Sequence, residues 1–133
     1  EDVPIELKAM KGCNDESVKY DGIISPTKML WATANYSFFI RPGMKRIDIR
    51  PVIERSDLEA ATDIMCSAYT DGRQVIAVYI NYSEEDRPVS IECGRISKGK
   101  IYITSVDKDL EYCGTKDLSD IVLPGRSIVS VVM

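Results

Sequence analysis

From Met44 onward the chain is a succession of short apolar runs divided by turn residues, and this texture constrains the fold most. The runs occupy 44–49, 63–70, 73–80, 89–93, 100–105, 110–113 and 127–132. Several alternate between apolar and polar residues with the period of a β-strand, and all are short for helices. About seven strands with regular turn signals indicate an antiparallel sandwich or barrel.

The two central runs predict a β-hairpin. Asp71-Gly72 stands between them, and Asp-Gly supplies the positive φ angles of a two-residue type I′ turn. This turn would pair Thr70 with Arg73. One face of the hairpin then carries Met65, Tyr69, Ile76, Val78 and Ile80, and the other carries Ile64, Cys66, Ala68, Val75, Ala77 and Tyr79. Because both faces are largely apolar, we expect central strands that are covered on each side, either by this chain or by a partner outside it.

One helix is predicted before the strands, with its body at 27–39. Ser25 is a favourable N-cap, Pro26 suits the first helical position, and Arg41-Pro42-Gly43 ends the helix. Its apolar residues form two faces: Leu30, Trp31, Ala34 and Phe38 on one, and Met29, Ala32, Tyr36 and Phe39 on the other. A helix that is apolar over most of its circumference is normally buried on two sides.

The composition excludes several classes of function. The chain has no histidine, so it can form no Ser-His-Asp or Cys-His catalytic unit, no histidine base and no His-ligated metal site. With 17 Lys+Arg against 21 Asp+Glu the formal net charge is −4, which argues against a nucleic-acid partner. The apolar runs are far shorter than the ~20 residues of a membrane span, so we expect no membrane partner.

Carboxylates are the remaining candidates for catalysis. The groups close together in sequence are Asp57 with Glu59, Glu84-Glu85-Asp86, Asp107 with Asp109, and Asp117 with Asp120. They fall in predicted loops and strand ends, where turn geometry itself favours aspartate, so solvated turn residues are the favoured interpretation. The sequence also lacks an EF-hand array, a glycine-rich phosphate loop and a G-x-S-x-G motif. We therefore assign no catalytic, cofactor-binding or metal-binding residue and expect no cofactor.

The four cysteines, Cys13, Cys66, Cys93 and Cys113, form no C-x-x-C pair. Reduced thiols that act as small buried apolar residues are the favoured interpretation. Up to two disulfides remain open in an oxidising compartment, and Cys93 with Cys113 is the first pair to test.

Tyrosines are the best candidates for ligand contact. Five of them, Tyr69, Tyr79, Tyr82, Tyr102 and Tyr112, lie in or beside the predicted strands. Tyrosine also packs half-buried in strands for purely structural reasons. Tyr69, Tyr79 and Tyr102 are the residues that we select for carbohydrate contact.

One stretch carries a family resemblance. Residues 25–47 read SPTKMLWATANYSFFIRPGMKRI, and this segment resembles the P-T-x-x-L-W-A-x-x-N-Y-S-x-F-I-R-P-G pattern of glycoside hydrolase family 30. In that family the pattern spans the last barrel helix and the entry to a β-sandwich side domain. Residues 68–81 and 123–130 resemble the central hairpin and closing strand of that side domain. Ala34 replaces the usual glycine of the family, and Phe38 replaces the usual arginine.

The resemblance implies a mainly β chain: an antiparallel β-sandwich of about seven to eight strands with one N-terminal helix. Residues 1–24 would form an N-terminal strand and loop, in which 3–10 adds a side-domain strand; 25–43 would form the lead-in helix and 44–133 the sandwich. The resemblance also implies that the helix packs between barrel and sandwich, through Leu30, Trp31, Tyr36, Phe38 and Phe39.

The implied parent is a retaining hydrolase of β-linked glycans such as xylan, located outside the cell, in the periplasm or at the cell surface. Its two catalytic glutamates lie on barrel strands before the matched segment, so no residue of this chain matches them. We expect a noncatalytic accessory domain whose partners are an upstream (β/α)8 barrel and, for binding, polysaccharide. The alternatives are a stand-alone carbohydrate-binding module and a self-associating structural sandwich, with a homodimer expected of the isolated fragment.

Overall fold

A computed structural model describes residues 5–9, 22–52 and 56–133. The helices are α1 (Lys28–Ser37) and α2 (Asp57–Ala61). The strands are β1 (Ile5–Ala9), β2 (Gly22–Pro26), β3 (Lys45–Ile47), β4 (Ile64–Thr70), β5 (Val75–Asn81), β6 (Arg87–Val89), β7 (Lys98–Thr104), β8 (Glu111–Asp117), β9 (Ile121–Leu123) and β10 (Ser127–Val132).

The strands form a β-sandwich built around one large antiparallel sheet. Six strands pair in the order β3-β4-β5-β10-β7-β8, while β6 pairs with β9 and β1 with β2 in separate two-stranded sheets. The last strand of the chain, β10, therefore lies at the centre, between β5 and β7. The predicted mainly β, antiparallel sandwich is confirmed. Neither described helix is long and apolar enough to cross a membrane.

The main core lies between the large sheet and the small β6–β9 sheet. Its buried members are Ala68, Ala77, Ile101, Ile103, Leu118, Ile121, Leu123, Val129 and Val131. Alternation along β10 sends Val129 and Val131 into this core and Ile128 and Ser130 to the opposite face of the sheet. Helix α1 packs on that opposite face, against β7 and β10. In β5 of the hairpin, Ile76 and Val78 on one face and Ala77 on the other are buried, so this strand is covered on both sides.

The hairpin itself is confirmed, but its predicted two-residue turn is wrong. Thr70 pairs with Val75 instead of Arg73, which leaves a four-residue loop. The Asp71 carboxylate accepts hydrogen bonds from the backbone N–H groups of Arg73 and Gln74, at 2.8 and 3.0 Å. These bonds stabilise the longer loop, and they hold the pKa of Asp71 below its usual value. The register shift is two residues, so every side chain keeps its predicted face.

The predicted start of the helix is also corrected. Ser25 and Pro26 belong to β2, which pairs with β1, and Thr27 is the N-cap residue of α1. Pairing with a second strand satisfies backbone groups that a helix start would leave open, and local sequence does not reveal such pairing. A strand does form within the predicted 3–10 segment, but it pairs with β2 and not with the large sheet. Residues 1–4 and 10–21, including Cys13, lie outside the described residues.

Besides β2, the sequence analysis missed helix α2 and strand β9. Helix α2 begins with a capping box, in which the backbone N–H of Glu59 donates to the Ser56 hydroxyl and the Ser56 N–H donates to the Glu59 carboxylate. The Ser-x-x-Glu spacing was a readable signal for this helix. Strand β9 has only three residues, too few for a period-2 pattern to be recognised. Strand β6 was predicted over 89–93, but it begins two residues earlier, at Arg87, and ends at Val89.

The tight turn between β9 and β10 leads directly into the central strand and is held in place by two sets of contacts. The buried Asn81 amide nitrogen donates to the carbonyl oxygens of Glu85, Leu123 and Pro124, at 2.8, 3.1 and 2.9 Å. Gly125 packs directly against the backbone of Glu84, and a Cβ at this glycine would overlap the Glu84 carbonyl. The absence of a side chain at Gly125 therefore permits this close approach.

Gly125→Ala is expected to lower the free energy of unfolding by about 3 kcal/mol, because rigid backbone must move to admit the methyl group. Gly94→Ala is the matched control, since Gly94 has a φ of 57° but open space around it. It should cost only about 1 kcal/mol, the strain of a left-handed residue. Urea denaturation of both variants tests the difference, and equal losses would contradict the proposed overlap.

Candidate functional site

The junction between α1 and the large sheet is built around one buried polar side chain, Asn35. Asn35 is 0% exposed although it lies in the middle of the helix. Its amide nitrogen donates to the Ser130 hydroxyl at 2.9 Å and lies 3.4 Å from the Ile128 carbonyl oxygen. Its side-chain oxygen accepts a hydrogen bond from the Thr104 hydroxyl at 2.5 Å. The amide thus joins the helix to both β7 and β10.

Ser130 and Thr104 complete this network. The Ser130 hydroxyl donates to the backbone carbonyl of Asn35 at 2.7 Å, so the two residues exchange hydrogen bonds. Thr104 also accepts a hydrogen bond from the backbone N–H of Leu110 at 3.0 Å, which ties the β7–β8 loop to the same site. Buried polar groups that are satisfied in this way fix a single packing geometry. We infer that the network sets the position of α1 on the sheet.

Sequence reasoning did not select these three residues. The signal was present in the interruptions of apolar runs: Asn35 stands within the predicted helix, and Ser130 stands within the apolar strand 127–132. Asn35 also belongs to the N-Y-S part of the motif that carried the family resemblance. Because buried polar side chains are almost always hydrogen-bonded, one polar residue in each of two buried elements suggests that the two side chains bond to each other.

The five residues selected for packing by α1 divide into two groups. Leu30, Trp31, Tyr36 and Phe39 are half-buried, and the Phe39 ring lies 4.6 Å from the Tyr102 ring. Burial raises the pKa of the Tyr36 hydroxyl. Phe38, by contrast, is 64% exposed.

Besides Lys28, the exposed residues of α1 and its C-cap are Met29, Thr33, Ser37 and Phe38, and we call their exposed surface the outer face. All four are exposed, and Met29 and Phe38 are large apolar side chains with 51% and 64% of their surface accessible. The helix therefore combines a sheet-facing side anchored by a polar network with an outer face that carries exposed apolar groups.

The three tyrosines selected for carbohydrate contact are not adjacent. Tyr79 lies on the core face of β5, packed against the main core, whereas Tyr69 and Tyr102 lie on the face that α1 covers. The Tyr102 ring contacts those of Phe39 and Tyr112, whose centroids are 4.6 and 5.2 Å away and whose planes are tilted by 50° and 42°. Because Tyr79 lies on the opposite face of the sheet from the other two, the three do not form one surface, and their role in binding stays a prediction.

Tyr79 and Cys66 form a half-buried polar pair on neighbouring strands. Burial raises the pKa of the Cys66 thiol to about 11, and burial likewise raises the pKa of the Tyr79 hydroxyl. Cys66, Cys93 and Cys113 all carry free thiols, so Cys93 and Cys113 are not bridged here. A protonated, buried thiol is a poor nucleophile, which makes Cys66 a packing residue.

The carboxylates near one another in sequence take part in local structure. Glu59 caps α2, Asp109 accepts a hydrogen bond from the Lys28 ammonium at 2.5 Å, and Asp107 accepts one from the Ser105 hydroxyl at 2.6 Å. Within the described residues, no group of three or more Cys, Asp or Glu side chains is arranged to hold a metal ion.

Three solved structures contain a region with the same fold as this chain. A conserved exported protein from Bacteroides fragilis is 54% identical over 98% of this chain, with a TM-score of 0.89 and 27% of its own length covered. A family 30 endoxylanase from Clostridium papyrosolvens is 23% identical over 80% of this chain, with a TM-score of 0.65 and 28% of its length covered. A family 30 subfamily 8 xylanase from Clostridium acetobutylicum is 17% identical over 89%, with a TM-score of 0.67 and 29% covered.

These likenesses confirm, at the level of fold, the resemblance predicted from residues 25–47. At 17% and 23% identity the two xylanases show a shared fold. The chain spans less than a third of the length of all three proteins. No family model and no curated protein matches the sequence.

Asn35→Ala is expected to lower the free energy of unfolding by about 3 kcal/mol, because it leaves the buried hydroxyls of Ser130 and Thr104 without their partner. Thr33→Ala, an exposed change on the same helix, should alter stability by less than about 0.5 kcal/mol. Thermal or urea unfolding of the two variants measures the difference. Equal stability would show that the network does not anchor α1.

Alkaline pH should destabilise the fold through Cys66. The unfolded thiol ionises near its ordinary pKa of 9.0 and the folded thiol near 11, so its contribution is complete below pH 9 and is lost as pH rises towards 11. Between pH 8 and pH 10.5, Cys66→Ala should lose about 2 kcal/mol less stability than the wild type. Urea denaturation at both pH values provides the test, and parallel losses would contradict the assignment.

Proposed function

We propose that this chain is the β-sandwich side domain, with the last barrel helix, of an enzyme related to glycoside hydrolase family 30. Its role is to brace a catalytic barrel without itself catalysing the reaction. The observation that carries this proposal is the two-sided character of α1, which is held to the sheet by Asn35 while its outer face presents Met29 and Phe38. A barrel packed on the outer face would remove this apolar surface from water.

The comparisons support the barrel as the missing partner. The two xylanases match this chain over 28% and 29% of their own length, so most of each enzyme lies outside the shared fold. Because these neighbours are xylanases, we propose that the parent acts on a β-linked polysaccharide such as xylan. The exported neighbour supports a location outside the cell, in the periplasm or at the cell surface.

The noncatalytic part of the proposal is supported by the roles of the carboxylates. A retaining glycosidase places two carboxyl groups ~5–5.5 Å apart across the scissile bond, and both must reach the substrate. Glu59 and Asp109 instead serve a helix cap and an ion pair with Lys28. The resemblance assigns the catalytic glutamates to barrel strands that precede this segment.

A test of bracing compares the isolated chain with the longer polypeptide that its gene encodes. Phe38→Ser should lower the stability of the longer protein by about 2 kcal/mol, since it removes an apolar side chain from the barrel contact. The isolated chain should be almost unaffected, because Phe38 is exposed there. Asn35→Ala should destabilise both forms and is the control for damage to the sandwich itself.

Calorimetry of both forms measures these effects. A gene that encodes no upstream barrel, or a Phe38→Ser effect that is the same in both forms, would overturn the bracing role. Release of sugar from xylan by the isolated chain above a blank would overturn the noncatalytic role. A stable dimer of the isolated chain that is abolished by Phe38→Ser would instead favour the self-associating sandwich.

A further inference from the structure

An open cleft of about 360 Å³ lies between the first turns of α1 and the ends of β5, β7 and β10. Its volume lies within the range of about 300–1,000 Å³ that is typical of small-molecule sites. Ala32, Ile80 and Ile128 contribute apolar surface to its lining. None of the three tyrosines selected from the sequence lines this cleft.

Tyr82 and Arg126 form one side of the cleft as a stacked pair. The Arg126 guanidinium carbon lies 4.3 Å from the centroid of the Tyr82 ring, and half of the Tyr82 surface remains exposed. Arg126 has a φ of 50°, unusual for a residue other than glycine, and its N–H donates to the Ser83 carbonyl at 2.8 Å. The turn that holds Arg126 in this conformation is the one packed around Gly125.

The charges of the cleft are internally neutralised. Its two cations each have an acidic partner: Lys28 contacts Asp109 at 2.5 Å, and Arg126 lies 3.6 Å from Glu84. An anion would have to compete with these carboxylates, so the site offers no net positive field. It offers instead a mostly apolar surface, a half-exposed aromatic ring and the half-exposed Arg126 side chain.

That combination suits a neutral sugar. A pyranose ring has an apolar C–H face and a rim of hydroxyl groups that donate and accept hydrogen bonds. Tyr82 can contact the C–H face as aromatic rings contact other apolar groups, while the Arg126 guanidinium can donate to the hydroxyls. A ligand with a full negative charge fits less well, because the cations are already paired.

We propose that this cleft is a binding site for a neutral segment of a β-linked oligosaccharide, with Tyr82 as its stacking platform. The inference rests on the proposed kinship with glycan-acting enzymes and adds a site to it. The site would hold polysaccharide on the sandwich, at a place on the chain separate from the outer face of α1.

The test is a titration of the ¹⁵N-labelled chain with xylohexaose and, separately, cellohexaose, followed by amide chemical shifts. Shifts should change at Lys28, Tyr82, Val106 and Arg126 for at least one of the sugars. Tyr82→Ala should weaken binding about tenfold, the loss expected for one aromatic contact. Val106→Arg, at a position that is 90% exposed beside the cleft, should block it as well.

Tyr112→Ala is the matched control, since Tyr112 is 52% exposed but does not line the cleft, and it should change affinity less than twofold. No shift change with either sugar, or an equal loss in Tyr112→Ala, would overturn the site. So would strong weakening by salt, which would indicate an anion site. Failure of the sugar site would leave the bracing proposal untouched, because bracing is tested by the effect of Phe38→Ser on the stability of the longer protein.

Discussion

The hydrogen-bond network of Asn35 is the interaction on which the arrangement of this domain depends. A helix packed on a sheet through apolar side chains alone can slide or rotate at little cost, since such contacts are not directional. The Asn35 amide fixes both the position and the rotation of α1, because its partners on β7 and β10 accept only one geometry. With the sheet-facing side defined in this way, Met29 and Phe38 are directed outward.

The same network links the layers of the domain. Ser130 lies on β10, whose neighbours Val129 and Val131 fill the main core on the other face of the sheet. The central strand therefore carries the helix contact on one face and the core on the other. The tight turn at Gly125 brings this strand into place and also orients Arg126 towards Tyr82, so the proposed sugar site depends on the same turn.

Much of the sandwich was predictable from local sequence. The strand 127–132 coincides with β10, and the faces of the central hairpin were predicted correctly although its turn was not. A shift of two residues preserves the alternation of side chains, so the apolar pattern is insensitive to that error. The turn was misjudged because the Asp71 carboxylate bonds to two backbone N–H groups and favours a longer loop, a preference that the Asp-Gly pair does not reveal.

Other features required contacts between distant residues. Ser25-Pro26 has the residues of a helix start, yet it forms a strand because another strand pairs with it. Asn35 is an ordinary polar residue in the sequence, and its importance arises only when Thr104 and Ser130 are brought to it across separations of 69 and 95 residues. Likewise, the sequence did not distinguish Tyr82 from the four other tyrosines in or beside the strands, and only the fold shows that it lies beside Arg126.

The sequence by itself determined the fold class, the motif that relates residues 25–47 to family 30, and the absence of histidine chemistry. These follow from periodicity, residue order and composition, which are local or global properties of the chain. Only the tertiary structure decided which side of α1 is anchored, which apolar groups remain exposed and where a cleft opens. Those outcomes depend on the distances between residues far apart in sequence, and those distances exist only after the chain has folded.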